Sequence, residues 1–254
     1  MWTKQEKHKE VYSQASVVPP RGLVIILCLL HLCVEGIQDV NTVCLANMTQ
    51  YFYDNVQPKT KAETDAQYAL SVYLPPAHCT DKHANIENKF DKFDAAEVRR
   101  LLNNGAKCEF CTKPENVIAS RPVKIDEKKT EHSEHVLLYP VGNSLMDKLL
   151  KKARDQSCVV FYSYNSPCVK TCLQSEDNIL EGLRNWGNKR KDQMNAFVFQ
   201  EIWQKDKSKD LQTEFQNIDK IVPLYRCMRN SKAMECRKCV KNNVVDLFCL
   251  PKKK

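Results

Sequence analysis

Hydrophobic and polar positions in the first half of the chain predict strands that alternate with helices. Near-alternating apolar residues predict a strand over residues 68–74, which ends at Pro75. Apolar residues at helical spacing predict a helix over residues 91–103 that ends near Gly105. The apolar face of this helix is expected to consist of Phe93, Val98, Leu101 and Leu102.

The second half continues the pattern and predicts a layered fold. Strands are expected over residues 116–123, 158–162 and 194–203. Helices are expected after His132, over residues 172–186 and over residues 211–221. Pro140 and Gly142 are expected to interrupt the helix after His132, and Gly187 is expected to close the helix over residues 172–186. Strands alternating with helices indicate an α/β sandwich with right-handed crossovers.

The N-terminal segment has the pattern of a secretory signal. Arg21 precedes an apolar run from Leu23 to Val34. A run of about a dozen residues is short for a bilayer span but suits the hydrophobic region of a signal peptide. Val34-Glu35-Gly36 resembles a cleavage site. We therefore predict removal of residues 1–36 and a secreted protein without stable membrane association, with a short membrane anchor as the alternative.

The remaining chain divides by composition. We predict a lead-in over residues 37–64, a main domain over residues 65–225, and a basic, cysteine-rich tail over residues 226–254. Eleven cysteines from Cys44 onward indicate an oxidising compartment and several disulfides. The formal net charge of +8 suits a nucleic-acid partner, although a soluble lysine-rich surface gives the same charge.

Two short motifs carry the candidate chemistry. His132-Ser133-Glu134 is followed later in the chain by Pro167-Cys168-Val169-Lys170-Thr171-Cys172. One histidine and two thiolates can hold Zn²⁺ with a fourth position open, and cysteines one helical turn apart share a face. Pro167 suits the first turn of that helix. The order H-x-E then P-C-x-x-C is typical of zinc nucleobase deaminases. Here three residues, not two, separate the cysteines.

Two other interpretations use the same residues differently. Cys168 and Cys172 can instead form disulfides in a non-enzymatic secreted binding protein. The pairs Cys108/Cys111 and Cys236/Cys239 each have the C-x2-C spacing of structural zinc sites, although more than a hundred residues separate them. His135 also competes with His132 as a metal ligand. These alternatives remain open from the sequence.

Taken together, these motifs resemble the AID/APOBEC-like group of the cytidine deaminase-like fold. The stretch Ser163-Tyr164-Asn165-Ser166-Pro167-Cys168 is similar to the Ser-Trp-Ser-Pro-Cys stretch of that group, with Tyr164-Asn165 replacing the aromatic and its neighbour. With the leader and the cysteines, the chain most resembles secreted members of the group. The resemblance implies a cytidine deaminase-like sandwich, with a central mixed sheet flanked by helices and stabilised by disulfides.

The resemblance also implies a reaction and its residues. His132, Cys168 and Cys172 would bind Zn²⁺, and Glu134 would move the protons. Ser166 would lie near the target base, Trp203 would border the base pocket, and Asn116 would match a pocket asparagine. The expected reaction is hydrolysis of cytosine to uracil in single-stranded DNA or RNA, with a free nucleoside as the alternative substrate. Immune defence is the expected role.

Overall fold

The computed structural model describes residues 39–154, 156–230 and 233–252. The predicted leader at residues 1–36 lies outside the described residues. No helix in the described ranges is long and apolar enough to cross a membrane. The helices are α1 (Thr42–Asn55), α2 (Ala77–Thr80), α3 (Lys92–Asn103), α4 (Ser133–Leu138), α5 (Leu145–Lys152), α6 (Leu180–Lys189) and α7 (Gln212–Asp219).

Seven of the strands form one mixed sheet. The strands are β1 (Ala69–Leu74), β2 (Cys108–Glu109), β3 (Val117–Ser120), β4 (Val123–Lys124), β5 (Thr130–Glu131), β6 (Cys158–Asn165), β7 (Asn195–Glu201), β8 (Leu224–Arg229), β9 (Met234–Lys238), β10 (Val240–Lys241) and β11 (Val244–Val245). The sheet order is β2-β3-β1-β6-β7-β8-β9. Strands β6, β7 and β8 are parallel, and the other pairs are antiparallel. The expected central mixed sheet is confirmed.

Helices cover both faces of this sheet. Alternating side chains of β6 divide between the two faces, because successive residues of a strand point in opposite directions. Val160 and Tyr162 pack with α1 and α3, whereas Val159 and Phe161 pack with α4 to α7. The hydrophobic core therefore has two halves with the sheet between them.

The sheet and its core extend beyond residues 65–225. Helix α1 packs against β8 and β9 and buries Leu45 and Phe52 completely. Strand β9 pairs along β8, and the Cys227–Cys236 disulfide joins the two strands. The segments at either end of the predicted main domain are thus part of the same layered structure.

Several elements differ from the sequence-based expectation. The helix at residues 92–103 forms as predicted, but Phe93 is 83% exposed. Ala95, Val98 and Leu102 repeat at the helical period and form the buried face, and Phe93 lies off that face. The predicted continuous helix over residues 172–186 is also wrong. A π-helical turn at Val169–Leu173 ends well before α6 begins.

Polar side chains explain this break. Asp177 N–H donates to Ser175 Oγ at 3.1 Å, and Leu180 N–H donates to Asn178 Oδ1 at 3.0 Å. Such local bonds compete with helical hydrogen bonds, so the chain makes a turn between the two segments. Gly187 does not close α6, since it lies inside the helix.

Of the nine cysteines from Cys44 onward that lie outside the two motifs, eight form disulfides and Cys44 is a free thiol. The disulfides are Cys79–Cys158, Cys108–Cys111, Cys227–Cys236 and Cys239–Cys249. A shared zinc site between the two C-x2-C pairs is therefore wrong, because each of those four cysteines already has a disulfide partner. The expectation of several disulfides is confirmed.

The position of Gly187 predicts an unusual response to alanine. A Cβ atom there would lie 2.6 Å from the carbonyl oxygen of Ile221. We expect Gly187→Ala to lower the free energy of unfolding by about 1–3 kcal/mol, because overpacking outweighs the gain in helix propensity. Denaturant unfolding measures the change. Asn188→Ala, in the exposed part of the same helix, is the control and should change stability by less than about 0.5 kcal/mol. A Gly187→Ala variant as stable as the parent would contradict this close approach.

Candidate functional site

The two motifs meet beyond the end of β6. His132 immediately precedes α4, and Cys168 immediately precedes the π-helical turn that carries Cys172. The sequence predicts Pro167 in the first turn of a helix. In the structure Pro167 instead lies before the π-helical turn. Ser166 N–H donates to the carbonyl oxygen of Glu201 at 2.7 Å, which ties the loop to the end of β7. The sheet thus brings both motifs together beyond the C-terminal ends of β6 and β7.

His132, Cys168 and Cys172 form a cluster of three metal-ligating side chains. Nδ1 of His132 lies 3.2 Å from Sγ of Cys172 and 3.7 Å from Sγ of Cys168, and the two sulfurs are 3.5 Å apart. Ligands of one tetrahedral zinc ion are expected about 3.5–3.8 Å from each other, given the usual bond lengths. The cluster therefore has the spacing of a shared metal site.

The thiols interact strongly with each other. The contact with the Cys172 thiol, together with His132, lowers the pKa of the Cys168 thiol to about 3. The contact with Cys168 and burial raise the pKa of the Cys172 thiol. The contact with Cys168 also raises the pKa of His132. These shifts favour a negatively charged thiolate at Cys168. A thiolate is stabilised by a nearby cation, and a divalent metal ion is one such cation.

Glu134 is buried beside this cluster. Only 2% of the residue is exposed. Burial raises the pKa of its carboxyl group, and hydrogen bonds from Ser163 and Ser133 oppose that change. Ser163 Oγ donates to Oε1 at 2.7 Å, and Ser133 Oγ donates to Oε2 at 3.0 Å. Oε2 has a second lone-pair direction beside the bond from Ser133, so the group can still accept a proton.

Sequence reasoning missed Gln67, Ser133 and Ser163. Ser133 stands inside H-x-E and Ser163 begins the stretch that resembles the deaminase motif, so both could have been noticed there. Gln67 lies far from both motifs in sequence, and its Nε2 atom lies 3.2 Å from Oε1 of Glu134. No local pattern marks such a residue, because only the pairing of β1 with β6 brings it close.

Ser166 and Trp203 lie on the same side of the sheet as the cluster. Ser166 is buried, and its Oγ accepts a hydrogen bond from the Trp203 backbone N–H at 3.0 Å. The Trp203 side chain is partly buried and packs against the half of the core that contains Cys168. Their predicted roles toward a base remain predictions.

Asn116 does not join this group. Its carbonyl oxygen accepts from the N–H of Tyr73, and Tyr73 pairs with Val159 near the start of β6. Cys168 follows the other end of that eight-residue strand, roughly 25 Å away along the strand. Asn116 Nδ2 donates to the carbonyl oxygens of Lys89 and Tyr73, so its side chain holds a loop. The expectation that Asn116 lines the pocket is therefore wrong.

His135 does not compete for the metal site. Its Nδ1 atom lies 2.6 Å from Oε1 of Glu131, and its ring stacks on Tyr139 with ring centroids 4.1 Å apart. The described residues contain one group of histidine, cysteine and carboxylate side chains close enough to share a metal ion, and His135 is not part of it. His132 is the histidine of the cluster.

A cleft borders the cluster. Its volume is about 230 Å³, and His132 and Cys172 form part of its lining. At the rim of the cleft, Lys129 Nζ forms an ion pair with Asp177 Oδ2 at 2.6 Å. This ion pair links the residue before β5 to the loop after the π-helical turn. The cleft therefore borders two of the three metal-ligating side chains, His132 and Cys172.

The disulfide pattern leaves both motif cysteines unpaired and predicts the result of thiol labelling. Among the cysteines from Cys44 onward, Cys44, Cys168 and Cys172 are free thiols. We expect alkylation of denatured, metal-free, unreduced protein to label these three residues, with the other eight protected until reduction. Peptide mass spectrometry identifies the labelled sites. A disulfide at Cys168 or Cys172 in freshly purified protein would instead support the binding-protein interpretation.

Comparison with known proteins agrees with this geometry. A family model described as Secreted Novel AID/APOBEC-like Deaminase 1 matches residues 42–253. The chain belongs to this family, and the resemblance to secreted AID/APOBEC-like deaminases is confirmed. The family description says secreted, and the disulfides fit an extracellular protein. No curated protein and no solved structure gives a significant match.

Proposed function

We propose that this protein is a secreted, zinc-dependent deaminase that hydrolyses cytosine to uracil and ammonia in single-stranded nucleic acid. The observation that carries the proposal is the convergence of His132, Cys168 and Cys172 beside the buried carboxylate of Glu134. Membership of a deaminase family supports the reaction class.

The donor set fits zinc. Two thiolates and one imidazole are ligands that zinc prefers, and three protein ligands are typical of catalytic sites, in which the fourth position stays open. Two of the three donor-atom separations, 3.5 and 3.7 Å, fit one tetrahedral ion, and the third, 3.2 Å between His132 Nδ1 and Cys172 Sγ, is slightly shorter. Bound zinc supplies Lewis acidity, which makes water a competent nucleophile near neutral pH.

Glu134 performs the proton transfers in this proposal. Its carboxylate takes a proton from the attacking water and delivers it to the ring nitrogen, and a second transfer allows the amine to leave as ammonia. Burial raises the pKa of Glu134, which brings the acid and base forms closer to working pH. The hydrogen bonds from Ser133 and Ser163 hold the carboxylate in place between these steps.

Ser166 and Trp203 are the proposed base contacts. Ser166 directly precedes Pro167-Cys168 in the chain and is therefore close to the cluster. The backbone N–H of Trp203 donates a hydrogen bond to Ser166 Oγ. Aromatic side chains stack on bases of any sequence, and the net charge of +8 favours a polyanion. A secreted enzyme of this kind would meet foreign nucleic acid outside cells, which is the basis for a proposed defence role.

Cytosine conversion tests the proposal. Purified protein is incubated with single-stranded DNA, single-stranded RNA and free cytidine, and sequencing or mass spectrometry detects uracil. We expect conversion in a polynucleotide and a loss of at least about 100-fold in Glu134→Gln, because the amide cannot move protons. Glu181→Gln, an exposed carboxylate on α6, is the matched control and should retain activity. Conversion that persists in Glu134→Gln would contradict the proposed role, and conversion of cytidine alone would restrict the substrate to nucleosides.

Metal analysis tests the zinc ligands separately. We expect about one zinc per chain in the purified protein and less than about a tenth of that in Cys168→Ser, since one of three protein ligands is lost. Cys44→Ser removes another buried free cysteine and should keep the zinc. Elemental analysis after dialysis gives the stoichiometry. Equal zinc in the two variants would show that the metal binds elsewhere.

A further inference from the structure

Gln67 connects the buried glutamate to the loop that carries Cys168. Gln67 lies two residues before β1, and Tyr164 N–H of β6 donates to the carbonyl oxygen of its neighbour Tyr68 at 3.0 Å. One position further along, the N–H of Asn165 does not find a backbone partner in β1. It donates instead to Oε1 of Gln67 at 2.8 Å. The glutamine side chain therefore continues the strand pairing toward the loop.

These contacts fix the orientation of the Gln67 amide. Oε1 accepts from both the backbone N–H and the side-chain Nδ2 of Asn165, each at 2.8 Å. A backbone N–H can only donate, so the opposite amide orientation would place two donors against each other. The Nε2 group must therefore face away from Asn165.

On that other side, Nε2 faces three acceptors. Ser133 Oγ and Ser163 Oγ each lie 3.0 Å away, and Glu134 Oε1 lies 3.2 Å away. The two hydroxyl groups use their own protons to donate to Glu134. The N–H groups of Gln67 keep both hydroxyls in this donating orientation. Among the described residues, the side chains that donate to the carboxylate are thus Gln67 and two serines that accept from Gln67.

We propose that Gln67 is a positioning residue that holds the Glu134 carboxylate in its working orientation and couples it to the Cys168 loop through Asn165. This inference rests on the proposed function. Gln67 needs no contact with the substrate for this role, since it acts through Glu134. Its loss is expected to leave the two serines free to rotate and the carboxylate free to turn.

Steady-state kinetics of Gln67→Met provides the first test. Methionine keeps the length of the side chain and removes both amide groups. We expect kcat for cytosine conversion to fall about 10- to 100-fold, because a small displacement of a catalytic group has effects of this size, while KM stays within about twofold. Zinc content should not change. The matched control is Gln50→Met on α1, where Nε2 donates to Asp54 Oδ2 at 2.8 Å far from the site in the fold.

A kcat equal to that of the Gln50→Met control would overturn the inference. So would a loss of zinc or a parallel rise in KM in Gln67→Met, because either result would indicate a general disturbance of the site. If neither the parent protein nor the control converts cytosine, the proposed function fails, and the inference is then decided by a measurement that does not need activity.

Thermal unfolding of a double-mutant cycle is that measurement. The cycle contains Gln67→Met, Glu134→Ala and their combination, all prepared without metal. Because the two side chains act on each other, we expect the combined loss in Tm to be smaller than the sum of the single losses by roughly 2 °C or more. The pair Gln50→Met and Glu134→Ala should be additive. Additive losses for Gln67 and Glu134 would overturn the inference.

Discussion

The burial of one carboxylate constrains the whole functional region. A charged group with only 2% exposure is stable only when hydrogen bonds replace the lost water, and Glu134 receives such bonds from residues of three separate segments. Those segments are the residues before β1, the end of β6 and the start of α4. The pairing of β1 with β6 and the packing of α4 on the same face of the sheet are therefore prerequisites of the site. The core helices and the outer strands serve to keep these three segments in place.

Keeping two cysteines reduced is a second constraint on a protein with four disulfides among its described residues. The sulfurs of Cys168 and Cys172 lie 3.5 Å apart, yet both thiols are free, as is that of Cys44, whereas eight other cysteines form four disulfides. Two of the disulfides, Cys227–Cys236 and Cys239–Cys249, stabilise the last strands and the turn after them, away from the motifs. A metal ion bound by the two thiolates would protect them from oxidation, so metal binding and correct disulfide pairing support each other.

The sequence predicted the layers of the fold and the three side chains of the His132, Cys168 and Cys172 cluster better than it predicted the residues around that cluster. Short apolar runs and the H-x-E and P-C motifs are local sequence patterns. Such patterns can be recognised without knowing which distant residues come together in the fold. The turn that separates Cys172 from α6 was missed because side-chain hydrogen bonds of Ser175 and Asn178 outweigh the apolar spacing. Gln67 was missed and Asn116 was misplaced for one reason: strand register decides both positions, and a single sequence does not encode register in any short pattern.

X-ray absorption at the zinc edge of the purified protein tests whether the cluster is a three-ligand zinc centre with an open position. We predict two sulfur ligands at about 2.3 Å and two nitrogen or oxygen ligands at about 2.0–2.1 Å, one of them the imidazole of His132. A shell of four sulfur atoms would contradict this prediction, because it would place the metal in a closed structural site. A shell of nitrogen and oxygen atoms alone would also contradict it, because it would remove Cys168 and Cys172 from the metal.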